Sequence, residues 1–179
     1  LRLSIIVPTL GRPFLPRALE SIKPQPDDEI IVVSTNHSVR SIARDFGAKY
    51  FDYPFSDSVA GGAQERSYGI RYATGDYLVF LDDDDVMVDL EVIRREVRKR
   101  ARPTPHMFQV RYPGGTFGDP FSLKLGECTG SQLVCPREPG AIWPREQSGD
   151  HPFINATINL WGRVKYVDKV IISVRPEQQ

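Results

Sequence analysis

Short apolar runs alternate with helix-period segments through the first hundred residues, and that alternation restricts the fold more than any other feature. Leu3–Val7, Glu29–Val33 and Tyr77–Leu81 are rich in β-branched and aromatic side chains and too short for buried helices. They read as strands covered on both faces, with Lys49–Asp52 as a shorter fourth. Pro16 suits the first turn of a helix whose inner face is Leu15, Ala18, Leu19 and Ile22, stopped by Pro24. Ser38 can cap a second helix with Val39, Ile42, Ala43 and Phe46 on one side and Gly47 just past its end. Gly61-Gly62 introduces a third, with Ala63, Ser67, Ile70 and Ala73 inward and Gly75 as its stop. Val86, Leu90, Ile93 and Val97 space out a fourth. The order β-α-β-α-β-α-β-α predicts a parallel sheet with right-handed crossovers and helices on both faces. Ligands of such sheets bind beyond the C-terminal strand ends, where the loops 8–13, 34–38 and 82–85 converge.

After Arg102 proline and glycine become frequent. Residues 107–112, 132–135 and 164–174 read as strands of a mixed or antiparallel extension, with a short helix over 151–161. No repeat or linker interrupts the chain, so one domain is expected over 1–179, with halves 1–102 and 103–179. Apolar residues make up 40% and charged ones 26%, the balance of a soluble globular protein. Basic and acidic residues number 23 each, which gives no reason to expect a nucleic-acid partner. No run approaches the roughly 18 apolar residues of a membrane span. Leu1–Val7 is too short, and too soon followed by Pro8, for a secretory leader. Cys128 and Cys135 are too few for a disulfide framework or a zinc cage; they could pair across a hairpin, but two free thiols in a reducing, cytoplasmic setting are expected. The basic run Arg94–Arg102 suits the C-terminus of a solvated helix.

Tyr77–Leu81 ends in Asp82, Asp83, Asp84 and Asp85 with no neighbouring cation. Two carboxylates about 6 Å apart repel by roughly 3 kcal/mol at an effective dielectric of about 20. A cation, a set of N–H donors or open water must relieve the cluster. A divalent metal carrying a phosphorylated ligand would do so best; the alternative is an acidic first turn opening a helix. Asp150 likewise suits the N-cap of the helix at 151–161. Arg12 and Arg66 can each pair with phosphate or with a surface carboxylate. Thr9 can bond a base or ribose, or simply shape a turn. His37 and His106 stand alone. Trp143, Trp161 and Tyr112 are core aromatics or sugar-stacking surfaces. Val86 and Met87 interrupt the ligand pattern that an EF-hand needs from Asp82.

With these pieces in order, the chain resembles the family 2 glycosyltransferases of the GT-A fold, an αβα sandwich. Ser4-Ile-Ile-Val-Pro-Thr-Leu-Gly-Arg-Pro13 looks like the family's opening strand and nucleotide loop. Glu65-Arg-Ser-Tyr-Gly-Ile70, continuing through Ala73-Thr-Gly-Asp-Tyr77, looks like its helix leading to the central strand. Leu81-Asp-Asp-Asp-Asp85 resembles its DxD turn. Gly130-Ser-Gln-Leu-Val-Cys-Pro-Arg137 is similar to its donor-sugar segment, and Gly149-Asp150-His151-Pro-Phe153 to its catalytic-base motif. Lys165–Arg175 resembles its closing strand. Ser34 and Thr35 stand where the family usually places acids, Ser67 where it has Asn, and Gly-Asp-His where Glu-Asp is commoner.

The resemblance implies transfer of a sugar from a nucleoside-diphosphate donor of the UDP or GDP type to a saccharide or other hydroxyl acceptor, with inversion. Residues 1–102 become the nucleotide half and 103–179 the sugar and acceptor half. Pro8, Thr9, Arg12, Ser34, Arg66, Asp82 and Asp83 become the nucleotide contacts. Asp84 becomes the ligand of Mn2+ or Mg2+, with His151 as a second candidate and Asp85 as a helix cap or supporting group. Asp150 becomes the general base. Two other classes compete. A nucleotidyltransferase should show a Gly-rich loop with a Lys after the first strand, and Pro8–Arg12 offers one Gly and no Lys. The other is a non-catalytic nucleotide-sugar binding module; turnover lost on mutating Asp150 with donor affinity intact would favour the enzyme over it.

Overall fold

Burial on both faces is what the apolar runs predict, and every residue of β1 (Leu3–Pro8) and β2 (Glu29–Ser34) is buried. The computed structural model describes residues 1–54, 62–115, 128–137, 143 and 150–176; Gly61 and Gly149 of the motifs above lie outside them. The remaining elements are α1 (Leu15–Ser21), α2 (Val39–Asp45), β3 (Lys49–Asp52), α3 (Ala63–Tyr72), β4 (Tyr77–Phe80), β5 (Val86–Met87), α4 (Leu90–Arg98), β6 (His106–Arg111), β7 (Leu133–Pro136), α5 (Asp150–Trp161) and β8 (Lys165–Ser173).

The strands form one eight-stranded sheet in the order β3-β2-β1-β4-β7-β6-β8-β5. β1 pairs in parallel with β2 and β4, and β2 with β3, as the alternation predicts. β7 then enters antiparallel between β4 and β6, and β6 runs parallel to β8, so the second half is mixed. Side chains alternate across the strands. Ile5, Val7 and Val32 face a core shared with Leu15 and Leu19 of α1, Val39 of α2 and Ile93 of α4. Ile6, Ile31 and Phe80 face Ile70 of α3 and Phe153 and Ile154 of α5 on the other side. Each such side chain contributes about 1.5–3 kcal/mol by leaving water.

Glu29 is a carboxylate in this apolar setting, and it ties the strand starts together. It accepts from Ser4 Oγ (2.6 Å), Lys49 Nζ (2.6 Å), and the backbone N–H (2.5 Å) and hydroxyl (2.9 Å) of Thr74. Burial would raise its pKa, but Lys49, Ser4 and Thr74 prevail and hold it at about 2. Thr74 stands just ahead of β4, so the knot fixes the strand that delivers the acidic turn.

Several expectations change. Ser38 makes no side-chain cap; Asn36 Oδ1 instead accepts the Ser38 N–H (3.0 Å) and hydroxyl (2.7 Å). Phe46 ends α2 and is exposed rather than inward. Val86 lies in β5, paired with Ser173, and not in a helix. Asp89, not Asp85, caps α4, accepting the N–H groups of Glu91 (2.9 Å) and Val92 (3.0 Å). Arg94 is not on a solvated face: it is buried in an ion pair with Asp28 and bonds Glu91 at 2.9 Å, while Arg95, Arg98 and Lys99 are exposed. Cys128 and Cys135 are free thiols. No helix among the described residues is long and apolar enough to cross a membrane.

Candidate active site

The loop after β1, the N-terminus of α3 and the turn after β4 meet at one end of the sheet. Pro8, Thr9, Leu10, Arg12, Gly62, Glu65, Asp82, Asp83, Asp84 and Arg175 enclose a cavity of about 260 Å3 there. Gly62 has φ +66°, and a Cβ on it would stand 2.8 Å from Pro8 Cβ, so glycine lets the helix start close against the β1 loop.

Asp82–Asp85 form a tight turn closed by the Asp85 N–H on the Asp82 carbonyl at 3.1 Å. The cations missing from the local sequence arrive from three distant places. Arg66 pairs with Asp82. Arg12 donates to Asp84 Oδ2 at 2.7 Å and stands 3.6 Å from Asp83. Arg175 Nε reaches the same Asp84 oxygen at 3.2 Å. Thr9 donates its hydroxyl to Asp83 Oδ2 at 2.5 Å. Burial raises the Asp83 pKa, with Asp84 and Asp82 adding to the rise and Thr9 and Arg12 opposing it. Asp85 is pushed to about 8, chiefly by burial and then by Asp82, although the Arg175 N–H donates to its Oδ1 at 3.1 Å.

Arg66 is almost wholly buried beneath Asp82, with Trp143 packed 4.8 Å from its guanidinium. Burial would lower its pKa, but Asp82, Asp150 and Glu65 outweigh that and keep it charged. It does not line the cavity, and it meets the cavity wall through Asp82. Ser34 is buried too, its Oγ accepting the Asn36 N–H at 3.0 Å, and it lies outside the cavity lining.

A second cavity of about 340 Å3 shares Asp82 and Arg175 with the first and is enclosed also by Asp85, Tyr112, Pro113, Thr129, Asp150 and Val174. Asp150 opens α5 rather than preceding it. Its Oδ2 accepts the Gly130 N–H at 2.9 Å and the Thr129 hydroxyl at 3.3 Å, so it braces the turn before β7. Tyr112 stands in the field of Asp85 and Asp150, and burial and then these charges raise its pKa. His151 bonds Asn155 at 2.9 Å along α5 and lines neither cavity. Trp143 is a core residue, stacked on Phe153 at 4.0 Å.

Among the charged residues of the two walls, Glu65 and Arg175 had no role assigned from sequence. Arg175 follows the last strand as an ordinary exposed-looking arginine, and no local pattern distinguishes it. Among the described residues, no group of three His, Cys, Asp or Glu side chains could hold a metal by itself. The arginines take Oδ1 of Asp82 and Oδ2 of Asp84, which leaves the second oxygen of each carboxylate to a ligand. Such hard oxygen donors fit Mg2+ or Mn2+ when a diphosphate supplies the rest of the shell.

The chain is 34% identical over 90 residues to an uncharacterized glycosyltransferase of Haemophilus influenzae, a match covering 46% of this chain and 29% of that protein. S. aureus TarS 1-349 superposes with a TM-score of 0.77 at 18% identity, over 97% of this chain and 60% of that one. The same protein has been solved with UDP and with UDP-GlcNAc. The mannosyltransferase PcManGT from Pyrobaculum calidifontis, solved with GDP-Man and Mn2+, gives 0.70 at 19% identity, over 96% of this chain and 56% of that one. The chain therefore spans under a third of its curated relative and no more than 60% of these two structures. The family model for glycosyl transferase family 2 matches residues 4–121, more than half of the 179. By that match the chain belongs to glycosyl transferase family 2, and its mixed sheet and flanking helices are the GT-A fold.

Proposed function

We propose that this chain moves a sugar from a nucleoside-diphosphate donor of the UDP or GDP type to an acceptor hydroxyl, with inversion. The observation that carries the reading is the shared wall. Asp82 and Arg175 line both a cavity walled by the acidic turn and an adjoining one walled by Asp150. The donor belongs in the first, against Pro8, Thr9, Arg12, Asp82 and Asp83. The acceptor belongs in the second, so its oxygen would approach the sugar from the side opposite the departing diphosphate. Asp150 takes the acceptor proton as the new bond forms, and Gly130 and Thr129 hold its carboxylate in place.

Asp84, with help from Asp82 or Asp83, would hold Mn2+ or Mg2+ together with the diphosphate. Such a cation supplies stabilisation of charge gathering on the leaving group. His151 is left out of this set because it is engaged with Asn155 and lines neither cavity. Arg66 pairs with Asp82 from beneath and keeps it aimed into the site. Structures of this fold solved with UDP, UDP-GlcNAc and GDP-Man support the donor class.

The test is Asp150→Asn. Calorimetry with UDP and GDP in Mn2+ measures binding, and release of nucleoside diphosphate from UDP- and GDP-sugars measures turnover, with water standing in for the acceptor. The variant should bind nucleotide as the wild type does and lose turnover by about two orders of magnitude or more. A wild-type chain that binds neither nucleotide, or a variant with undiminished turnover, overturns the reading.

A further inference from the structure

Among the described residues, Arg175 is the one non-glycine residue with a positive φ, +41°. Side chains rarely adopt that backbone, and it persists only where surroundings enforce it. Here they do: the Val174 N–H is held by the Arg111 carbonyl at 2.8 Å, and the Arg175 N–H by Asp85 Oδ1 at 3.1 Å. The Arg175 side chain reaches over the acidic turn, its Nε 3.2 Å from Asp84 Oδ2, and it borders both cavities. Arg12 holds the same oxygen at 2.7 Å.

Asp84 Oδ2 thus carries two guanidinium groups, and a divalent cation at that carboxylate would be repelled by both. Arg175 makes the longer contact and its side chain is 53% exposed, so it is the one free to leave. We propose that Arg175 guards Asp84 in the donor-free protein and transfers its guanidinium to the donor diphosphate when Asp84 takes up a cation. The proposal rests on the nucleotide-sugar reading above. A diphosphate offers the paired oxygens that an arginine fork matches, and Arg175 already lines the cavity where that group would sit. The backbone N–H on Asp85 keeps the residue anchored through the exchange. Arg175 is then a positioning residue before the donor binds and a ligand to the leaving group afterwards. The same exchange makes cation and nucleotide binding mutually dependent, since neither alone gives the displaced guanidinium both a reason to leave and a place to go.

The experiment is calorimetry on the full chain as wild type, Arg175→Gln and Arg175→Lys. The titrants are Mn2+ alone, then UDP and GDP in saturating Mn2+, with thermal melts in EDTA as a folding check. Glycine is avoided because it would also relieve the positive φ. Arg175→Gln should bind Mn2+ alone more tightly and the nucleotides less tightly, each on the order of tenfold. Arg175→Lys keeps the charge without the fork, so it should match wild type for Mn2+ and fall between the two for nucleotide. It also carries the test should the Gln variant not fold. Constants that stay unchanged, or that fall together as in a loosened site, overturn the proposal. A wild-type chain that binds no nucleotide overturns the donor reading and the transfer with it, while the Mn2+ arm still decides the guarding role.

Discussion

Asp85 offers the sharpest measurable consequence of the crowded turn. It is 3% exposed, and burial first, then Asp82 and Asp84, raises its pKa from 3.8 to about 8. Between those values the folded chain holds a proton that the unfolded chain releases. Stability attributable to this group is therefore complete below about pH 3.8 and lost as pH rises toward about 8. At pH 7 the deficit covers about 3 pH units, and at about 1.36 kcal/mol per unit its ceiling is about 4 kcal/mol. Asp85→Asn removes the titration, and the amide still accepts the Arg175 N–H. The assay is urea unfolding of both proteins in EDTA, followed by circular dichroism at several pH values between about 4 and 7. The variant should equal wild type near pH 4 and become more stable as pH rises, by more than about 1 kcal/mol at pH 7. Glu29 titrates alike in both proteins and cancels in the difference. A stability gap that does not change with pH, or a variant less stable at pH 7, refutes the account of Asp85 as a carboxyl kept neutral by its neighbours.

Glu29 makes the opposite prediction, because its pKa falls from 4.5 to about 2. Its stabilisation is present above about pH 4.5 and lost as pH falls through about 2. Glu29→Gln should therefore cost up to about 3 kcal/mol in urea unfolding at pH 7 and little near pH 2. At Gly130 an added Cβ would stand 2.3 and 2.5 Å from Trp143 ring carbons. Trp143 is fully buried between Phe80, Phe153 and Arg66, so it has nowhere to retreat. Gly130→Ala should lower stability by about 1–3 kcal/mol and alter the near-UV circular dichroism of Trp143; an unchanged spectrum and midpoint would contradict the packing described.

The strands of the first half were legible because burial on both faces writes a local pattern. Ile5 and Ile6 must both be apolar whichever neighbour each strand finds. Pro16, Gly47 and the end of β4 at the aspartates are local signals too, set by backbone geometry within a few residues. The placement of Asp82–Asp85 at the mouth of the sheet followed from the same alternation. Capping was less legible, since Asp85 and Asp89 look alike as helix starters until β5 claims Val86 and Met87 for pairing with β8.

What the chain order alone determined was a parallel half-sheet ending in a cluster of acids, and that those acids needed relief. What supplied the relief was decided by folding. Arg12, Arg66 and Arg175 come from three separate stretches, and no periodicity links a carboxylate to a cation far along the chain. The insertion of β7 between β4 and β6, and the meeting of Asp150 with Gly130, are of the same kind. Local patterns record which face of an element avoids water; they do not record which distant charge will be brought against it, because that depends on how the sheet closes.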